Sequence, residues 1–257
     1  MSILVVTGTG TGVGKTITTA AIAAMASGSV AVVKLAQTGV ADGEAGDLAE
    51  VARLSGATSL HEFARYPEPL SPHHAARRSG RPQFDLGDAT VRLADLEATH
   101  DLVLVEGSGG LLAPFDSDRA TLLDLAGKID VAFIVVTAAS LGTLNHTALT
   151  MRVLESEEAD VAGIVIGSWP DAPGVAERCN IADLAGLAPS RELAGALPEN
   201  MGLAEDFETS ARSAVGPMLG GTFDWVAFRT EFGDDRSRDV PADRRRNQRS
   251  RNDQEAQ

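Results

Sequence analysis

Cysteine is nearly absent: Cys179 is the single one in 257 residues, which excludes an intrachain disulfide and any cysteine-cluster metal site and suits a reducing compartment. Positive charge is also short. With 22 Lys and Arg against 36 Asp and Glu the formal charge is −14, so tight nonspecific binding of nucleic acid is not expected. No apolar run approaches the roughly 18 to 20 residues of a membrane span, and the chain enters an apolar strand without a basic leader. A cytoplasmic protein with neither a membrane nor a nucleic-acid partner is the expectation.

What is present begins at Ile3-Leu4-Val5-Val6, continues through Thr7-Gly8-Thr9-Gly10-Thr11-Gly12-Val13-Gly14-Lys15-Thr16, and runs into an alanine-rich segment. This reads as strand, glycine loop and helix. Glycines let backbone N–H groups turn toward a phosphate, a helix N-terminus at Lys15 adds its dipole, and the lysine adds a point charge. The Thr16 hydroxyl suits Mg²⁺. Gly8 stands six residues before Gly14, where the usual P-loop spacing is five, so the loop is a variant.

Apolar content of 44% in sequential α/β patterning argues for one domain over residues 1–231: a three-layer P-loop NTPase-type sandwich around a mostly parallel sheet. A helix is expected over 14–26 and a strand over 30–33 that ends in Lys34, with Thr38 just beyond. Strand ends are where open α/β sheets place ligands, so Lys34 is either a second cation aimed at the phosphates or a solvated end residue. Asp47 with Glu50 has the form of a capping box, and Asp47 is equally a candidate Mg²⁺ acid. Residues 59–100 form the longest excursion between strands, with a short helix opening at Ser71-Pro72. Such an insertion often covers a substrate site. His73 and His74 adjoin in that helix and cannot share a face, which speaks against a two-histidine metal site.

Asp101 to Val105 is a buried strand that ends in Glu106, a Walker-B-like carboxylate, followed by Gly107-Ser108-Gly109-Gly110. The strand over 131–136 leads through Thr137 to Gly142 into a helix whose first N–H groups suit a carboxylate or phosphate, or are simply capped. Further strands are expected over 161–166 and 193–197, a helix over 203–218, and a charged, disordered tail over 232–257. From Gly233 that tail has seven Arg against six Asp and Glu, a net +1, so Arg244-Arg245-Arg246 reads as solvated rather than as a nucleic-acid hook.

The glycine loop, Lys34 with Gln37-Thr38-Gly39, Glu106-Gly107-Ser108-Gly109-Gly110, and Leu141-Gly142-Thr143-Leu144-Asn145-His146 together resemble the dethiobiotin synthetases of biotin biosynthesis, in order and spacing over about residues 1–228. The resemblance implies an ATP-dependent cyclo-ligase, a homodimer, that closes a ureido ring on 7,8-diaminopelargonate with CO₂ or bicarbonate and Mg²⁺. One amine captures CO₂ as a carbamate, the carbamate oxygen attacks the γ-phosphoryl group, and the second amine displaces phosphate. It further implies Lys15 and Lys34 as catalytic groups and Thr16, Asp47 and Glu106 as metal ligands. Nucleotide contacts would come from Gly12, Val13, Gly14, Lys15, Thr16, Ile17, Asp47, Glu106, Gly107, Ser108, Gly109, Gly167, Ser168, Ala196, Leu197 and Pro198. Substrate contacts would come from Thr11, Lys34, Thr38, Gly142, Thr143, Leu144 and Asn145, the last four reached from the neighbouring subunit.

Several positions depart from the pattern. Leu35 replaces a proline, Ser108 an alanine, and Gly10 and Gly12 replace acids. Gly167 stands where relatives carry an asparagine that reads adenine, which predicts relaxed base choice with CTP or other triphosphates rivalling ATP. Two other classes are discriminated by sequence. A partitioning-type switch ATPase carries an extra early lysine that residues 8–12 lack, and a GTPase carries an Asn-Lys-x-Asp sequence that is absent. The alternatives kept are the partitioning-type switch ATPase and a catalytically silent nucleotide-binding relative.

Overall fold

The apolar runs foreseen around residues 3–6, 30–33, 101–105, 131–136 and 161–166 are strands of one sheet. In the computed structural model, which describes residues 2–233, the elements in chain order are β1 (Ile3–Gly8), α1 (Lys15–Met25), β2 (Val30–Lys34), β3 (Gln37–Thr38), α2 (Asp47–Ser55), β4 (Ser59–Glu62), β5 (Arg65–Tyr66), α3 (Pro72–Ser79), α4 (Leu86–Glu97), β6 (Leu102–Glu106), α5 (Leu122–Ala126), β7 (Ala132–Thr137), α6 (Thr143–Ser156), β8 (Asp160–Trp169), α7 (Val175–Leu187), β9 (Gly195–Pro198), α8 (Phe207–Ala214) and α9 (Trp225–Phe232). From residue 234 onward the expected tail lies outside the described residues. Among the described residues no helix is long and apolar enough to cross a membrane.

Seven strands pair in the order β4-β2-β6-β1-β7-β8-β9, and every neighbouring pair is parallel. Side chains alternate across such a sheet. Val5, Val33, Val105, Phe133 and Val135 therefore enter one core with α3 to α7, while Val6, Val32, Leu104, Ile134 and Val136 enter a second with α1, α2 and α8. Two apolar faces, each covered by helices, make the three-layer sandwich and explain why the strands read as unbroken apolar runs. The chain runs from β1 out through β2 to the β4 edge, returns to insert β6 beside β1, and then winds out the other way through β7, β8 and β9, so the direction reverses beside β1. That reversal opens the crevice at the carboxyl ends of β1, β2 and β6.

Three departures from the sequence reading have local causes. The excursion over 59–100 contains β4, paired to the sheet edge, and β5, which forms a separate two-stranded ribbon with β3. Ser-Leu-His-Glu has no apolar period to announce a strand, and it is only half-buried. The helix expected over 203–218 is broken. A 3-10 turn at Met201–Leu203 precedes α8, whose N-cap Asp206 accepts from the Thr209 N–H, and Gly216-Pro217 ends it before a second 3-10 turn. The domain boundary placed at 231 falls inside α9, whose Phe232 stacks edge-on against Trp169.

At the β4 edge a hydrogen-bond chain gives a pH test. The Ser59 hydroxyl lies 2.9 Å from His61 Nε2 and 3.0 Å from His100 Nε2, and His100 Nδ1 lies 3.0 Å from the Leu96 carbonyl. Since Nδ1–H donates to that carbonyl, His100 Nε2 accepts from Ser59, and Ser59 accepts from His61 Nε2–H. Burial first, then His100 and Arg92, hold the His61 pKa below its ordinary value. The unfolded chain thus binds this proton more readily, and stability falls as pH drops below about 6.5 toward the lower folded value. Urea melts at pH 7.5 and 5.5 should show a smaller loss for His61→Phe than for the wild type. Equal losses refute the assignment.

Candidate active site

The phosphate loop is built by left-handed turns that only glycine takes freely. Gly12 and Gly14 have φ of 75° and 101°, and Thr9 N–H donates to the Val136 carbonyl at 2.9 Å, tying the loop to β7. Gly14 is the N-cap of α1 and lends no side chain, so the first N–H groups of the helix have no side-chain acceptor there. Lys15 Nζ donates to the Gly10 carbonyl at 2.9 Å, curling over the loop it closes. Its burial, and then the charge of Lys34, hold the Lys15 pKa below the ordinary lysine value. Two cations therefore repel across one small space, which is what a polyanion would relieve.

Register brings the second cation to the first acid. Lys34 in β2 pairs with Glu106 in β6, and both side chains leave the sheet on the α1 side, as Val32 and Leu104 do. Lys34 Nζ lies 2.6 Å from Glu106 Oε1 and 2.5 Å from Asp47 Oδ2, and it donates at 3.3 Å to the Gly107 carbonyl. Burial alone would lower the Lys34 pKa, but the charges and hydrogen bonds of Glu106 and Asp47 outweigh it and raise it. The strand-end lysine is thus buried and paired, not solvated.

Thr16, at the second position of α1, donates its hydroxyl to Glu106 Oε1 at 3.0 Å. Glu106 Oε2 is buried and, among the described residues, has no hydrogen-bond partner. A hydroxyl, a half-exposed carboxylate and an orphaned carboxylate oxygen form a hard-oxygen donor set, the kind Mg²⁺ takes together with phosphate oxygens and water. The residues present fit that ion. No group of three or more His, Cys, Asp or Glu side chains among the described residues is placed to hold a metal unaided, and His73 and His74 stack at 5.1 Å with their rings crossed.

Asp47 is not the capping residue that its spacing to Glu50 suggested. The N-cap of α2 is Gly46, without a side-chain bond, and Glu50 is taken by Arg53 at 2.6 Å. The Asp47 carboxylate is free to meet Lys34 because its N–H is held by Gln37 Oε1 at 2.8 Å. Gln37 was quoted in the sequence pattern but given no role there. Its signal was its place three residues past a strand end.

A cavity of about 740 Å³ collects most of the expected residues: Thr11, Gly12, Gly14 to Ile17, Lys34, Thr38, Asp47, Glu106, Ser108 and Gly109 all line it. Ser108 also donates its hydroxyl to the Ala36 carbonyl, stapling the loop after β6 to the loop after β2. Pro69, Leu70, Ser71 and Pro72 form one wall, so the excursion does reach the crevice. Gly110, the last glycine of the foreseen motif, also lines the cavity, and Ala113 just beyond it was missed by sequence reasoning.

Other candidates stand elsewhere. Gly107 is packed on Leu122, where a Cβ would come within 2.2 Å of Cδ1. Gly167 presses on the phosphate loop itself: its Cβ would stand 2.0 Å from the Val13 carbonyl oxygen. Ala196 and Leu197 turn their side chains into the two cores, leaving only main chain to meet a ligand, while Ser168 and Pro198 are exposed. The Thr143 hydroxyl points inward to Thr137 at 2.7 Å and to the Ala138 carbonyl at 2.6 Å. The Thr143 N–H is also taken, by Ser140 O at 3.2 Å, which leaves the Leu144 and Asn145 N–H groups to open α6.

A family model described as an AAA domain matches residues 2–206. The ATP-dependent dethiobiotin synthetase BioD of Frankia casuarinae is 53% identical over 237 residues, 90% of this chain and 99% of its own length. Its counterpart in Rhodococcus jostii is 56% identical over 205 residues, 79% of this chain and 88% of its own length, and that of Streptomyces coelicolor is 49% identical over 238, covering 91% and 100%. Among solved structures, the MinC:MinD cell division protein complex of Aquifex aeolicus aligns with a TM-score of 0.51 at 16% identity, over 87% of this chain and 98% of that one. A ParA family ATPase from Chlorobium tepidum aligns at 0.50 and 13%, over 82% and 89%. At these identities the structures share the fold.

Proposed function

The chain belongs to that AAA-domain family and to the ATP-dependent dethiobiotin synthetases, and from this premise we propose that it closes the ureido ring of dethiobiotin on 7,8-diaminopelargonate, using CO₂ and a nucleoside triphosphate. The observation that carries the reading is the meeting of Lys15, Lys34, Asp47, Glu106 and Thr16 around one cavity, supplied by four separate segments. Carbamate attack on a triphosphate brings two anions together, and a site that stacks cations removes the main barrier to their approach.

Lys15 and the loop N–H groups hold the phosphates. Thr16, Asp47 and Glu106 would hold Mg²⁺, which when bound offsets phosphate charge. Lys34 emerges beside those acids and, in this proposal, offers its ammonium to the carbamate oxygen and the charge that develops on the transferring group. Thr38 and Thr11, which line the same cavity, hydrogen-bond the diamine or its carbamate. Pro69, Leu70 and Pro72 supply an apolar wall for an aliphatic chain.

Two finer points belong to the same reading. The Leu144 and Asn145 N–H groups lie at the start of α6, outside the cavity that Lys34 lines, so a second copy of the chain would bring them to the distal carboxylate of the substrate. Leu141, 87% exposed just before this helix start, and Leu149, 59% exposed farther along the helix, suit burial in such a dimer. Gly167 offers no amide to a base, so base choice is relaxed and CTP competes with ATP.

One assay tests all but the dimer. Phosphate release is expected only when diamine and bicarbonate are both present, with dethiobiotin identified by mass, and with CTP supporting turnover. Release without the diamine would mark a switch ATPase, and no release a silent binding protein. Strong rejection of every base but adenine would overturn the nucleotide proposal alone.

A further inference from the structure

Asp47 reaches the site at the end of a segment that has almost nothing to fix it. Residues 39–46 contain neither helix nor strand, and Ala41 to Ala45 are all exposed, so burial of apolar surface does not hold them. Polar contacts do, and they converge on one guanidinium. Arg65 Nη1 donates to the carbonyls of Ala41 and Glu44, each at 3.0 Å. Its Nε and Nη2 are fixed by a fork onto Glu62 at 2.6 and 2.7 Å. Arg65 is also the register partner of Gln37 in the β3–β5 ribbon, and Gln37 holds the Asp47 N–H. Gly46 packs between the two: a Cβ there would stand 2.7 Å from Gln37 Oε1 and 3.1 Å from Arg65 Nη2. Arg81 completes the clamp, pairing with Asp42 at 2.9 and 2.6 Å and donating to the Arg65 carbonyl at 3.0 Å.

We propose that Arg65 is a positioning residue for Asp47: by reading two carbonyls of the 41–46 segment from a ribbon outside the main sheet, it sets where the Asp47 carboxylate stands relative to Glu106. This rests on the reading of Asp47 as a metal-binding acid. The physical reason is rigidity. A loop bearing one ligand must be ordered before that ligand contributes, and ordering it costs conformational entropy, so an ordering contact made in advance appears as metal affinity. Only a planar fork serves two diverging carbonyls while gripping a carboxylate, and a lysine ammonium does not reproduce it. Arg65 does not itself line the cavity, and its side chain is bonded to Glu62 and the loop carbonyls rather than to Asp47 or Glu106, so it acts on the site through placement.

The test uses the full chain and Mn²⁺ as the probe, read by electron paramagnetic resonance with a non-hydrolysable triphosphate present, beside turnover as a function of Mg²⁺. Arg65→Met, Arg65→Lys and Gln37→Met should each weaken Mn²⁺ binding about 10- to 100-fold, the range for outer partners of metal ligands. For the two Arg65 variants, turnover at saturating Mg²⁺ and nucleotide affinity at saturating metal should stay within about threefold of wild type, a split that general damage to the fold would not produce. Arg65→Lys behaving like wild type would overturn the fork argument. Wild-type Mn²⁺ affinity in Arg65→Met would overturn the inference. If Arg65→Met does not fold, Arg65→Lys decides by the same criteria, and Gln37→Met by its Mn²⁺ affinity alone. Asp47→Asn is measured in parallel: weakened Mn²⁺ binding there with unaltered binding in the Arg65 variants defeats the positioning role alone, whereas unaltered binding in Asp47→Asn defeats the metal reading with it.

Discussion

Gly167→Ala loses nucleotide binding. The added methyl would stand 2.0 Å from the Val13 carbonyl oxygen and 2.6 Å from Val136 Cγ1, and the Val13 atom is main chain that no rotamer change can move aside. The contact is reciprocal, since a Cβ on Gly14 would stand 2.4 Å from the Gly167 carbonyl oxygen. Gly14, at the end of the loop that leaves β1, and Gly167 in β8 thus let the phosphate loop sit directly on the end of β8, across β7. Either the loop yields or the strand does. Overpacking typically costs about 1–3 kcal/mol. If the loop shifts to relieve it, the whole cost falls on the N–H groups that cradle phosphate, and 3 kcal/mol there is roughly a hundredfold in affinity. Calorimetric titration with ATP and CTP, beside thermal melts, separates the outcomes. The expected result is a near-normal melt without nucleotide and no stabilisation by it, and wild-type affinity for both triphosphates would refute it. The same geometry bars Gly167→Asn as a way to restore an adenine-reading amide, because the obstruction begins at Cβ.

Much of this site was legible from sequence because the residues that make it lie where strands stop. Lys34 and Glu106 each end an apolar run, and in a parallel sheet with crossover helices such ends share one edge. The glycine loop announced itself by strand, glycines and helix in succession. What was not legible depended on placement in three dimensions. No spacing rule says that Asp47 would leave its cap position to Gly46 and turn to Lys34, because that choice is made by Gln37, ten residues earlier, holding the Asp47 N–H. The polar β4 and the two-residue β3 and β5 are strands only because a neighbour pairs with them. Arg65 was passed over for a related reason: an arginine in a short polar stretch reads as a solvated residue until the loop it grips is seen. The break in the helix expected over 203–218 was written in Gly216-Pro217, but an apolar period across Phe207, Ala211 and Ala214 outweighed it.

Lys34→Met should separate binding from turnover more sharply than any other change at the site. Methionine keeps the length and packing of the stem and removes only the charge. The Lys34 and Glu106 side chains are 4% and 1% exposed, so Glu106 would be left as a buried carboxylate with Thr16 on one oxygen and no partner on the other. Breaking a buried pair from one side costs about 3–5 kcal/mol. Asp47, 34% exposed, adds little to that cost because water screens it. The melting temperature should therefore fall and should recover in part with Mg²⁺, since the freed acids suit a divalent ion. Nucleotide affinity should change little, because Lys15 and the loop N–H groups are intact. Turnover should fall by about 10²–10³, the loss seen when one preorganised electrostatic contact to a transition state is removed. The sign of the KM and kcat changes decides the case. A large fall in kcat at nearly constant nucleotide KM places the charge at the transition state, and a large rise in nucleotide KM at constant kcat would make Lys34 a ground-state phosphate ligand instead.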